Sequence, residues 1–375
     1  MHDRFKLSRM KRTLGLVLSL LLLTGFFSYG ANERENETEK KDSPAKTNFE
    51  NVSTVTIACY NVENWGRTDR WVGDSKVEDL MKPAEECEAV VAIIKKINPD
   101  ILGLMEILRT PDDANIKSIR TALKKAGLDY PHMATVVGED ERAQNLLLSR
   151  YPIAKLINLN KDAFTMNIRQ RVDGKWRDKT ITRRSERGFI DAVIEINPNY
   201  QIEVFVAHLK SKRPIPDLND PKTREFGEEI IRRNEALLLR SHMMERYEAD
   251  KEVNLVVMGD LNDVITSPAI RTLLGSQRST VLTHRLALKD YLGDQWTHFH
   301  YPEKAYNLID YMIVSDGLMH EYIEEKSYIY REKKDDPEVL KWDKASDHRP
   351  LVVTFWATNL SPTQSKSPAV VTNEK

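Results

Sequence analysis

From Val52 to about Trp356 the chain switches between two hydrophobic rhythms. Residues 53–60 (STVTIACY) alternate, with Val55, Ile57 and Cys59 on one face, which predicts a strand. Over 83–98 the period lengthens. Val90, Ile93, Ile94 and Ile97 form a helical stripe, Cys87 lies on the same face, and Pro83 suits a first helical turn. Asn98 and Pro99 stop that helix. Further strands are predicted over 100–107, 145–153, 187–196, 201–211, 252–263, 305–315 and 351–356. A long helix is predicted over 222–247, with Phe226, Ile230, Leu237 and Met244 on one face. Alternating strands and helices, with some strands adjacent, argue a mixed-sheet α/β layered domain.

No internal repeat and no long Pro/Gly/Ser break divides this region, so residues 52–357 read as one domain. Ahead of it, residues 1–12 are basic, Leu14 to Phe27 are apolar, and Ser28 and Gly30 are small. That order matches a secretory signal over 1–30, with an uncleaved membrane anchor as the alternative. The apolar run is short beside the roughly 20 residues that span a bilayer. No cysteine follows it, which argues against a lipid anchor. The expected place of work is outside the cytoplasm, periplasmic or extracellular. Residues 31–51 read as a polar linker and 358–375 as a polar tail.

Composition excludes more than it assigns. The net charge of −1 rules out bulk attraction to polyanions, so a polyanion site must be local. Two cysteines, Cys59 and Cys87, exclude a disulfide framework. Both fall on apolar faces, so either a helix–sheet bridge or two separately buried thiols is expected.

Several strands carry polar residues at an end that the strand itself does not need, and open α/β folds gather their sites at strand ends. Asn61 and Glu63 follow the first strand, and Glu106 ends the second. His208 ends a third, with Lys210 beyond it. Asp260 and Asn262 lie in GDLND, Asp310 in LIDY, and Asp347 with His348 in SDHRP. Each alone has a plain structural reading. Asn61 and Asn262 suit turns, and His208 alone suits a satisfied core histidine. Glu106 and Asp310 are harder to explain that way, because an unpaired carboxylate in an apolar strand is costly. Six such coincidences in one chain point to a site.

In order, YNVEN, ME, AHLKS, GDLND, LIDY and SDHRP resemble the endonuclease/exonuclease/phosphatase superfamily. The resemblance covers nearly all of Val52 to Trp356, and it is most specific in GDLND and SDHRP. It implies a four-layer α/β sandwich, with two mixed β-sheets face to face and helices outside. It implies Mg2+, with Mn2+ or Ca2+ as alternatives, bound chiefly by Glu106. Asn61 and Asp347 would stand beside the ion, directly or through water. Glu63 falls where some members carry an aspartate near the metal. His348 resembles the phosphate-contacting or acid/base histidine, and Asp310 its carboxylate partner. Asp260 resembles the group that orients or deprotonates the attacking water. Asn262 would hold a phosphoryl oxygen, and His208 would stabilise the phosphate or the leaving group. Many nucleases of the superfamily place an arginine soon after the metal-binding glutamate; Arg109 is the counterpart to test here.

The substrate is less legible. Residues 167–187 carry eight Lys or Arg against three acids, with Trp176 among them for stacking. Lys210, Lys212 and Arg213 follow His208. Together with Arg183 and Arg184 they would draw in a phosphate backbone, and the AHLKS segment resembles that of secreted bacterial nucleases. The expectation is a monomeric, secreted phosphodiesterase acting on DNA or RNA. A phosphatase or lipid phosphodiesterase is the alternative, with Phe299, Tyr301 and Tyr306 as the nearest thing to an apolar hairpin. A non-catalytic binding domain is a third reading, and the full set of candidate side chains argues against it.

Overall fold

The computed structural model describes residues 52–158, 162–215, 218, 226–275, 283–333 and 342–360. The chain divides into residues 1–45 and 46–375, and every described residue belongs to the second unit. The signal and linker expected over 1–51, and the tail beyond 360, lie outside the described residues. Among the described residues no helix is long and apolar enough to cross a membrane.

Two six-stranded sheets form the core. In the first, Thr54–Trp65 and Ile101–Leu108 run parallel at the centre. Leu351–Trp356 flanks this pair antiparallel on one side and Ala143–Ser149 on the other. Tyr322–Ile329 and His132–Val136 form the edges. In the second sheet, Tyr200–His208 and Leu255–Asp260 are the parallel centre. Asp310–Ser315 and Phe189–Asn197 flank it antiparallel, with Thr283–Arg285 and Ile153–Asn158 at the edges. The two sheets therefore repeat one pattern of strand directions, and both are mixed.

Strand alternation places Val55, Ile57 and Cys59 between the sheets, packed with Met105, Val206, Met258, Met312 and Val353. The opposite faces meet helices. Ala58, Tyr60 and Val62 pack with Val90, Ile93 and Ile94 of the Ala84–Ile97 helix and with Ile116 and Ile119 of Ala114–Lys125. Phe205, Ala207 and Val257 pack with Ala236, Leu239 and Met243 of Gly227–Ala249 and with Ile270 of Pro268–Leu274. The result is the four-layer α/β sandwich with two mixed sheets inside. Two glycines allow the close fit. A Cβ on Gly103 would meet Met258 Cε at 2.6 Å, and one on Gly259 would meet the Ala207 carbonyl at 1.7 Å.

Three expectations need correction. Residues 145–153 are not one strand: a turn after Ser149 sends the chain from the first sheet to the second. Residues 305–315 also divide, so Asp310 opens its strand instead of lying within it. The long helix starts at Gly227, with Phe226 as its cap. Its buried face is Ile230, Ile231, Ala236, Leu239 and Met243, while Phe226 and Leu237 are about half exposed. Buried Arg232, Glu235 and Arg240 share that inner face, and their charge disguises it in the hydrophobic pattern. Of the two alternatives open for the cysteines, the structure has separate thiols: Cys59 and Cys87 are free and lie in different layers. Cys59 points between the sheets and Cys87 packs on the outer face, so the sheet separates them.

Candidate active site

Both parallel pairs end at the same cleft, of about 1200 Å3. The backbone at and just behind its wall is unusual. Glu63, Asn64, Glu106 and Asn262 all take positive φ, at 50°, 57°, 64° and 54°. Such conformations cost of order 1–3 kcal/mol each and cluster where function requires them. The Thr54–Trp65 strand slips register between Asn61 and Trp65, and Ile101–Leu108 slips between Leu104 and Ile107. These two bulges turn the polar residues out of the sheet.

One side of the cleft is acidic. Glu106 accepts the Asn64 N–H at 3.0 Å. Glu63 accepts the Asp347 N–H at 3.1 Å. Burial pushes the Glu63 carboxyl up to about 7, with Asp347 and Glu106 adding to the rise. Lys82 opposes it only in part, since its Nζ bonds the Glu63 carbonyl at 3.2 Å and pairs with Glu86 at 3.1 Å. Three crowded carboxylates, two of them held by backbone amides, suit a hard divalent cation with oxygen ligands. Glu106 and Asp347 line the cleft, whereas Glu63 stands behind Asp347 and does not reach the wall.

The other side is built on histidine. His348 Nδ1 bonds Asp310 Oδ2 at 2.9 Å, and its Nε2 lies 3.7 Å from Asp260 Oδ2. Asp310 is fixed in turn by its own N–H donating to Thr297 Oγ1 at 3.1 Å. Burial alone would lower the pKa of His348, but Asp310, Asp347 and Asp260 outweigh it and hold the value well above the usual range. Burial followed by Asp310 pushes Asp260 up to about 7, and Asp260 accepts the Asn262 N–H at 2.9 Å. His208 Nε2 lies 3.4 Å from the same Asp260 oxygen. Its pKa falls well below the usual range through burial, then through Arg187, His348 and Arg142. The two histidines are thus pushed in opposite directions, the arrangement from which an acid and a neutral partner can be assigned.

Asn61 joins the two sides. Its Nδ2 donates to Asp260 at 3.1 Å and lies 3.4 Å from His348 Nε2, while its Oδ1 accepts the Glu63 N–H at 3.0 Å. It is buried and does not line the cleft, so it stands between the carboxylates and the histidine instead of facing solvent.

Of the five basic residues expected at the substrate, Arg183, Lys210, Lys212 and Arg213 line the cleft and Arg184 does not, and three of the lining four are engaged by neighbours. Arg183 lines the cleft but is held by Glu139 at 3.0 Å and Glu186 at 2.8 Å. Arg184 and Trp176, on the Lys175–Arg184 strand, are not cleft-lining. Lys210 Nζ folds back on its own loop, to the Ser211 and Arg213 carbonyls. Lys212 faces Asp263 at 3.8 Å, and Arg213 lines the cleft. Arg109 is absent from the cleft wall; its backbone N–H bonds the carbonyl of Arg142, and it is Arg142 that lines the cleft. Arg142, Arg187 and His298 are wall residues with no local signal in the sequence. Arg142 comes from a loop between strands, and His298 sits in an aromatic stretch that reads as a surface hairpin.

Residues 87–348 match the Endonuclease/Exonuclease/phosphatase family. No curated protein matches the chain. Among solved structures it is similar to the catalytic domain of human Nocturnin, at 16% identity and a TM-score of 0.48, over 80% of this chain and 94% of that one. It is similar to beta toxin from Staphylococcus aureus at 16% identity and 0.48, over 80% and 99%. An endonuclease/exonuclease/phosphatase from Bacteroides vulgatus gives 17% and 0.44, over 80% and 98%. At these scores the likenesses say nothing of substrate.

Proposed function

The chain belongs to the endonuclease/exonuclease/phosphatase family, whose members are divalent-metal-dependent phosphoesterases, and on that premise we propose that it is an exported, magnesium-dependent nuclease cleaving phosphodiester bonds of DNA or RNA. The observation that carries the substrate class is the cleft. Its volume of about 1200 Å3 exceeds the roughly 300–1,000 Å3 of small-molecule pockets, which favours an extended substrate. Arg142 and Arg213 on its wall supply charge for a phosphate backbone. The basic residues ahead of the Leu14–Phe27 run support export.

Glu106 and Asp347 would hold the cation, with Glu63 behind Asp347. When bound, the ion would supply Lewis-acid relief of charge on the phosphoryl oxygens. The chain's own groups do the rest. His348, protonated and locked by Asp310, offers its Nε2 side to a phosphoryl or leaving oxygen. Asp260, poised to take a proton near neutrality, orients and deprotonates the attacking water. Neutral His208 and the free N–H of the Asn262 amide, whose other N–H is held by the Leu209 carbonyl at 3.0 Å, contact the remaining phosphoryl oxygen.

The test compares plasmid DNA, RNA, bis-p-nitrophenyl phosphate, p-nitrophenyl phosphate and sphingomyelin, with magnesium or with chelator. Magnesium-dependent cleavage of DNA or RNA is expected. Charge reversal of Arg142 and Arg213 should raise KM on the polymer and reduce the salt slope by about one for each phosphate no longer neutralised. The rate on the small diester should barely change. Cleavage of the monoester or sphingomyelin alone, with nucleic acids intact, contradicts the nuclease reading.

A further inference from the structure

We propose that His298, Asp347 and His348 form a second metal site, selective for a borderline transition ion such as Zn2+, and that filling it shuts the enzyme down. Ligand atoms from these three residues all lie within 4.8 Å of one another. His298 Nε2 is 3.6 Å from Asp347 Oδ2, and His348 Nε2 is 3.8 Å from Asp347 Oδ1. Two ligand atoms about 2.1 Å from a tetrahedral zinc stand about 3.4 Å apart, close to both of these spacings, which use opposite oxygens of Asp347. Two imidazoles and one carboxylate suit zinc, whereas magnesium prefers an all-oxygen shell. The first side of the cleft and this corner therefore differ in the ion they select, although they share Asp347.

The ring geometry supports the assignment. Asp310 occupies Nδ1 of His348 at 2.9 Å, the carboxylate–histidine arrangement that orients a metal-bound imidazole and leaves Nε2 outward. The His298 ring lies beside it, with centroids 4.6 Å apart, and the short bridge between His298 and His348 fixes the two backbones. His298 Nδ1 is buried without a hydrogen-bond partner, so Asp347 is the carboxylate that its Nε2 faces. Nearby, Asp260, Asp310 and His348 also cluster. That trio is already satisfied by the bond between Asp310 and His348 and by the donors on Asp260, and it offers one nitrogen where the His298 corner offers two.

The consequence rests on the proposed function: zinc binding at His348 Nε2 would displace the proton held there to solvent, and with it the group offered to the phosphate. The binding itself does not depend on that reading, and the experiment separates the two. Metal-free protein is titrated with Co2+ while its visible absorption is followed, and Zn2+ is then used to displace the cobalt. In parallel, hydrolysis of the best phosphodiester substrate in saturating magnesium is measured against zinc. Wild type should show a low-coordinate, nitrogen-containing cobalt spectrum bleached by one equivalent of zinc. The same zinc should lower hydrolysis by about tenfold or more, given the order of metal affinities. His298→Asn and His298→Gln should lose the cobalt spectrum, with zinc inhibition of each read against its own magnesium-supported rate. They should need at least on the order of tenfold more zinc for equal inhibition, the floor set by loss of even an outer partner of a metal site. Absence of the cobalt spectrum in wild type, or equal zinc sensitivity in both variants, overturns the proposal. If no phosphodiester is cleaved, the proposed function fails while the cobalt readout still decides the site.

Discussion

The two sheets share one strand pattern and bring different chemistry to the same cleft. Thr54–Trp65 and Ile101–Leu108 end in Glu63 and Glu106, which join Asp347 in a crowded carboxylate set. Tyr200–His208 and Leu255–Asp260 end in His208 and Asp260, joined by Asp310 and Asn262. The first side carries repulsion that a cation would offset. The second has offset most of its charge internally, by placing His348, whose pKa these carboxylates raise, between Asp310 and Asp260. His348 belongs to the first sheet by chain and to the second by bonding, and Asn61 crosses the same seam. A phosphoester can therefore meet a metal side and a proton side without either being rebuilt. The lesson is that one architecture used twice places two kinds of group at a fixed separation.

Three changes probe this division, in order of expected effect. Glu106→Gln removes an ionised ligand with little change of volume. It should lower turnover on every substrate by on the order of a thousandfold and abolish stabilisation by magnesium. Steady-state rates and melting curves with and without magnesium check it; normal magnesium stabilisation would place the ion elsewhere. His348→Ala should cost about a hundredfold or more in turnover while leaving magnesium stabilisation intact. A loss of both would erase the distinction between the two sides.

The third change concerns stability. Glu63 is raised from its ordinary 4.5 to about 7 by burial first and Asp347 second. The folded state then holds a proton that the unfolded state releases, so metal-free stability should fall as pH rises from about 4.5 to about 7. His348, also raised, adds stability that is lost as pH climbs through its folded value, in the same direction. Magnesium should therefore raise Tm more at pH 8 than at pH 5. Glu63→Gln should flatten the metal-free profile and raise Tm at pH 8 by about 2–4 °C per kcal/mol of repulsion relieved. A profile equally steep in the variant would assign the pH dependence to other groups.

The contrast between the two sides also explains what the sequence disclosed. The candidate side chains stand at strand ends, and strands are readable from alternation, so Glu106, His208, Asp260 and His348 could be singled out from chain position alone. The layered architecture was legible for the same reason. Residues delivered by loops or by long reach were not. Arg142 arrives on the loop before Ala143–Ser149, and Arg187 on the loop before Phe189–Asn197. Arg183 looked available because its partners Glu139 and Glu186 come from two other turns. The Gly227–Ala249 helix was misoriented because its buried face uses charge for structure. Glu235 accepts the backbone N–H of Glu186 and of Lys210, and Arg232 donates to the Lys210 carbonyl and to Asp263. A hydrophobic stripe cannot report a face that holds two cleft loops by ion pairs and backbone bonds.

The division into a metal side and a proton side is tested most directly by isothermal titration of Mg2+ into metal-free wild type, Glu106→Gln and His348→Ala. The account predicts that His348→Ala binds magnesium as wild type does, within about twofold, because hard-cation affinity resides in the carboxylates. Glu106→Gln should show no measurable heat of binding. Equal weakening in both variants, or retained binding in Glu106→Gln, would contradict it.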